Sequence, residues 1–96
     1  MKVENMKSYR GNVVPNQFVI TIGDAVYFQS YESTIAKVQG GRLTLGLHWD
    51  YSPTTRRFLN KFLEENLHKY AGLKKQQVQK LIDEKEIGYI AEKNFN

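Results

Sequence analysis

Apolar and polar positions alternate with a period of two between residues 17 and 47 and recur with a period near 3.6 beyond Pro53. The chain therefore reads as sheet first and helix second. Gln17-Phe18-Val19-Ile20-Thr21-Ile22 is rich in β-branched and aromatic residues and sets Phe18, Ile20 and Ile22 on one face. Gly23-Asp24 separates it from residues 25–31, and two such runs across a short Gly-containing turn predict a hairpin. In the second run Tyr27, Gln29 and Tyr31 share one side and Val26, Phe28 and Ser30 the other. Residues 34–39 and 42–47 flank Gly40-Gly41, a pair that tolerates positive φ and predicts a second hairpin. There Leu43, Leu45 and Leu47 face the core, with Arg42 and Thr44 turned away.

Helix begins at the stretch Trp49-Asp50-Tyr51-Ser52-Pro53-Thr54-Thr55. Ser52 is a favoured N-cap, and Pro53 suits the first helical position, where its missing N–H is no loss. Phe58, Leu59, Phe62 and Leu63 then form an apolar stripe that lies on the sheet. This helix is predicted over residues 53–69, with Gly72 as its C-terminal cap, and a second over 74–85 with a narrow face of Val78, Leu81 and Ile82. Pro15-Asn16 is expected to interrupt pairing before residue 17, leaving residues 1–12 as a loose arm or a first edge segment. Residues 86–91 read equally as a short strand or an extended tail, and residues 93–96 as frayed. The predicted architecture is one α+β domain over residues 1–96: a roughly four-stranded antiparallel sheet at 17–47, then two helices.

Composition narrows the function classes. With 96 residues there is room for one modest core, and 41% hydrophobic content places it among folded domains. The chain has no cysteine, which removes disulfides, thiolate nucleophiles and cysteine-based metal sites. No apolar run approaches the length of a membrane span and the N-terminus lacks a signal-peptide pattern, so a cytoplasmic protein without a membrane partner is expected. The net charge is +4, and residues 1–63 carry all of it, with eight basic against four acidic residues. A partner recognised by charge meets that half.

Catalytic and metal chemistry is not legible. His48 and His68 are the two histidines, with no third ligand placed by spacing, so no metal and no cofactor is expected. His48 beside Asp50 has the makings of a base oriented by a carboxylate, but a strand-end histidine near a helix approach is the plainer reading. Ser52, Thr54 and Thr55 read as capping hydroxyls. Binding features are stronger. The outward row Tyr27, Gln29, Tyr31 offers amphipathic rings suited to an interface, and Arg56 and Arg57, with Arg42 and Lys61 near, form the best basic patch.

Two blocks of this chain, Phe28-Gln29-Ser30-Tyr31-Glu32-Ser33-Thr34-Ile35-Ala36 and Trp49-Asp50-Tyr51-Ser52-Pro53-Thr54-Thr55, resemble small phage and prophage proteins of Gram-positive bacteria. Those proteins share an F-Q-S-Y-x-S-x-I-A block and a following W-D-Y-S-x-T-T block. The resemblance implies a mobile-element protein acting in a bacterial cytoplasm. A compact, cysteine-free protein of this size is similar to anti-CRISPR inhibitors in size and context. The expected function is thus a non-enzymatic interaction protein that binds and inhibits a host defence protein, for example a CRISPR effector, through Tyr27, Gln29, Tyr31, Arg42, Arg56, Arg57 and Lys61. The alternative is a small basic DNA- or RNA-binding protein, and a virion component is a third reading. Homodimerisation through an open sheet edge is compatible with each.

Overall fold

The computed structural model describes residues 1–95 as an α+β fold: six strands in one sheet and two helices. The strands are β1 (Lys2–Lys7), β2 (Val13–Ile22), β3 (Ala25–Ser30), β4 (Ser33–Gln39), β5 (Arg42–Gly46) and β6 (Gly88–Ile90). Their spatial order follows the chain, with every neighbour antiparallel except β5 and β6, which run parallel. Between β5 and β6 lie helix α1 (Pro53–Asn66), a 3₁₀ turn (His68–Tyr70) and helix α2 (Lys75–Asp83). A parallel pair needs such a crossover, because a tight turn only reverses the chain. No helix of the described residues is long and apolar enough to cross a membrane.

The register assigns the two faces of the sheet. Phe28 pairs with Val19 and Ala36, Ala36 with Leu45, and Val38 with Leu43, so these side chains share one face. On that face the fully buried rings of Phe28 and Phe62 stack with centroids 5.9 Å apart. Phe58, Leu59 and Leu63 of α1 join Trp49 and the sheet residues in one buried cluster, against which Val78, Leu81 and Ile82 of α2 pack from the side. The opposite face carries Phe18, Ile20 and Ile22 of β2 beside Gln29, Tyr27 and Ala25 of β3.

Several expectations are corrected. The sheet has six strands, not four, and of the two readings of residues 1–12 the edge segment holds and the loose arm does not. β1 pairs with β2, and beyond it the Tyr9 hydroxyl donates to Glu64 of α1 while Lys61 Nζ lies 5.2 Å from the Tyr9 ring centre. Pro15-Asn16 does not stop β2. Asn5 pairs with Phe18 but Lys7 with Val13, so Val14 to Gln17 bulge out opposite Met6, and Pro15 sits where no ladder N–H is required. Helix α1 ends at Asn66, whose side-chain amide donates to the Phe62 carbonyl at 2.9 Å; Leu67 is then extended, and Gly72 follows the separate 3₁₀ turn. Helix α2 ends at Asp83 because Lys85, at φ 58°, leaves the helical region. Leu47 lies past the end of β5 and is exposed, not in the core.

Residues 88–90 resolve the open choice as a strand, and the chain beyond is anchored: Thr34 N–H donates to Lys93 O at 2.9 Å and Phe95 is buried. The expected fraying therefore fails for residues 93–95, and Asn96 lies outside the described residues. Phe95 rests on Gly46, where an added Cβ would overlap the Thr34 carbonyl and come within 2.8 Å of the Phe95 ring. Gly46→Ala is therefore expected to cost roughly 1–3 kcal/mol, as overpacking does, measured by urea unfolding.

The hydrogen bond to Glu64 also holds the Tyr9 phenol above its ordinary value of 10.0. A raised phenol pKa contributes stability in full below the unfolded value and loses it as pH rises through the folded one. The stability difference between the wild type and Tyr9→Phe is expected to be constant from neutral pH to ~10 and to shrink above it, read from denaturant midpoints across alkaline pH.

Candidate functional site

The bulge in β2, the β3–β4 turn, the approach to α1 and the C-terminal segment converge at one end of the sheet. They enclose a cleft of about 680 Å³ lined by Gln17, Ser30, Tyr31, Glu32, Ser33, Ile35, His48, Tyr51, Ser52, Thr54, Thr55 and Lys93. Segments 28–36 and 49–55, separated in the chain by β5 and its turns, both line it. The register explains part of this: Gln17 pairs with Ser30, and Ser30 with Ser33, so all three lie at the same sheet end.

Local geometry holds each wall. Ser52 caps α1, its Oγ accepting from Thr55 N–H at 3.1 Å and lying 3.1 Å from Thr55 Oγ1. Ile35 is the extra residue of a bulge in β4 between the Phe28–Ala36 and Gln29–Thr34 pairs, and it is buried. Tyr31 has φ 53° and Asn16 φ 65°, and the two left-handed residues are joined by Tyr31 N–H donating to Asn16 O at 2.7 Å. Gln29 Nε2 donates to Tyr31 O at 2.8 Å and so fixes the following peptide, on the other side of the Tyr31 Cα. A tyrosine in this region is a conformational outlier, held only because neighbouring bonds over-determine it.

The cleft is lined mainly by apolar surface, with a few polar groups set into it and one ion pair at its rim. Ser33 Oγ and His48 Nδ1 are 3.3 Å apart, and the His48 ring lies 5.2 Å from that of Tyr51. Asp50, weighed from sequence as the partner of His48, points elsewhere: its Oδ2 is 3.1 Å from Lys75 Nζ. Lys93 and Glu32 are paired at the rim at 3.5 Å. Gln17 is only 3% exposed, and its Oε1 has no hydrogen-bond partner among the described residues. No sequence rule singled out Gln17, because its burial follows from the β2 bulge; the Pro15-Asn16 pair was the one available signal.

The residues expected to form a partner surface do not form one patch. Tyr27 and Gln29 do share the open face of the sheet, but Tyr31 falls in the turn after β3 and stands at the rim of the cleft. Arg42 follows the Gly40-Gly41 turn, at the far end of β4 from Ser33, about 20 Å away at strand rise. Arg56 is half-buried beside Trp49, Tyr70 and Val78, its Nε without a partner among the described residues. Lys61 is taken up by Glu65 at 2.8 Å and by the Tyr9 ring. Of the three α1 cations Arg57 alone is exposed, its guanidinium 5.3 Å from the Phe58 ring centre.

Residues 1–80 match a family described as of unknown function, DUF8033. The chain belongs to this family. No curated protein and no solved structure matches it. The match covers the sheet up to β5, all of α1 and both sequence blocks, so every part of the cleft except Lys93 lies within it.

Because the start of α1 forms one wall of the cleft, Ser52→Ala is expected to destabilise the protein by about 1 kcal/mol through loss of the cap. Urea unfolding measures it, and an unchanged midpoint would show that Pro53 alone suffices to start the helix.

Proposed function

We propose that the protein is a non-enzymatic binding module of a mobile element, and that the open face of its sheet takes single-stranded nucleic acid. The observation that carries this reading is the make-up of that face. Phe18, Ile20 and Tyr27 are half-buried on β2 and β3, Lys37 Nζ lies 5.6 Å from the Tyr27 ring centre, and Arg42 lies on the same face through its pairing with Gln39. The registers put Val3, Asn5, Phe18, Ile20, Ile22, Tyr27, Gln29, Lys37, Arg42 and Thr44 there, and no carboxylate. Asp24, in the adjoining turn, is bound to Gln39 Nε2 at 2.8 Å. Half-buried rings on an open antiparallel sheet, bordered by cations and free of acids, suit bases that stack and phosphates that need neutralising.

Inhibition of a host defence protein, for example a CRISPR effector, is the second reading. It is favoured by Tyr31 and Tyr51, 63% and 75% exposed beside the cleft, since exposed tyrosines are frequent anchors of protein interfaces.

Fluorescence anisotropy with a labelled single strand and its duplex tests the first reading. Single strand is expected to bind more tightly than duplex, and Phe18→Ala and Tyr27→Ala each to cost ~1–3 kcal/mol of binding through a lost stacked base. Lys37→Gln is expected to reduce the salt slope by about 0.7. Absence of single-strand binding at low salt overturns the reading. A discrete host protein captured from nuclease-treated lysate, and lost in Tyr31→Ala, would then support the inhibitor instead.

A further inference from the structure

We infer that the cleft at the start of α1 is a binding site for a small uncharged ligand that carries hydrogen-bond donors on a ring, the chemistry shared by nucleosides and sugars. This goes beyond the nucleic-acid reading and uses different side chains, because Gln17 and Ser30 point to the helix-covered face and Tyr27 to the other.

The inference begins with Gln17. Nearly all buried polar side chains find a partner, and Gln17 Oε1 has none although the side chain is 97% removed from solvent and lines the cleft. A ligand donor supplies what the fold does not once the amide swings toward the cleft, since Oε1 itself is buried in the ligand-free protein. The backbone is arranged to keep the amide there: the Val14–Gln17 bulge is tied by Asn16 O to the Tyr31 N–H, and Gln29 holds the Tyr31 carbonyl.

Charge then restricts the ligand. The start of α1 is a poor anion site, since Pro53 has no N–H, Thr55 N–H is taken by Ser52 Oγ and Arg56 N–H by Ser52 O. Glu32 and Lys93 neutralise one another at 3.5 Å. A phosphate therefore gains little here, while an uncharged molecule meets the hydroxyls of Ser30, Ser33 and Thr54, the apolar Ile35, and the Tyr51 ring at the mouth. The volume of about 680 Å³ lies in the range of small-molecule pockets.

Isothermal titration with adenosine, uridine, D-glucose and adenosine 5′-monophosphate, on the wild type, Gln17→Leu and Tyr51→Ala, tests the inference. At least one uncharged probe is expected to bind, and which arm responds separates nucleoside from sugar; the monophosphate should bind no more tightly than adenosine. Gln17→Leu is expected to weaken binding at least about tenfold while raising the melting temperature of the free protein, because the orphaned acceptor is gone. Tyr51→Ala, at an exposed position, is expected to keep the melting temperature and weaken binding. The inference is overturned if no uncharged probe binds, if the monophosphate binds more than tenfold tighter than adenosine, or if both variants bind as the wild type does.

Discussion

The contact on which the rest depends is the stack of Phe62 on Phe28, two fully buried rings joining the inner stripe of α1 to the middle of β3. It decides which face of the sheet is covered. Since side chains alternate along a strand, it also decides that Tyr27 and Gln29 face away from the helix. The helix has a polarity, and its capped start lies over the sheet end that holds Ser30 and Ser33. One apolar contact thus leaves two surfaces of different kind: an open aromatic and basic face, and a half-open cleft where the helix begins.

What was legible in the sequence is what local chemistry dictates. The strands from residue 17 to Gly46, the Gly40-Gly41 turn and the Ser52-Pro53 helix start each carry their own signal in a few adjacent residues. β1 and β6 do not. Lys2–Lys7 has one buried residue, Met6, and is held by its ladder with β2, while Gly88–Ile90 is three residues long and depends on β5. Both edges exist through pairing that no short window contains. Pro15 misled for a related reason. The rule that proline breaks a ladder is sound, but a bulge also satisfies it and lets the strand continue.

The partner surface was read less well than the fold, because a cation's availability is a tertiary property. Arg56, Arg57 and Lys61 look alike in sequence, yet Arg56 is wedged under α2, Lys61 is held by Glu65 and Tyr9, and Arg57 is exposed. Alternation along β3 placed Tyr27 and Gln29 on one side. It failed at Tyr31, where the chain turns through a positive φ that tyrosine seldom adopts.

That failure and the unpartnered amide of Gln17 are connected. Of the non-glycine residues at positive φ, Lys85 simply follows the end of α2, an ordinary place for a left-handed residue. Asn16 and Tyr31 are different: they are bonded to each other, across β2 and the β3–β4 turn, and Tyr31 and Asn16's neighbour Gln17 line the cleft. Relaxing either would release the bulge and let the Gln17 side chain turn toward water. A chain shaped for stability alone would lose both the strain and the buried acceptor, since each costs free energy and neither adds to the core. Their coincidence at one place, where pattern-based reading also broke down, marks the cleft as the part of the fold that stability does not explain.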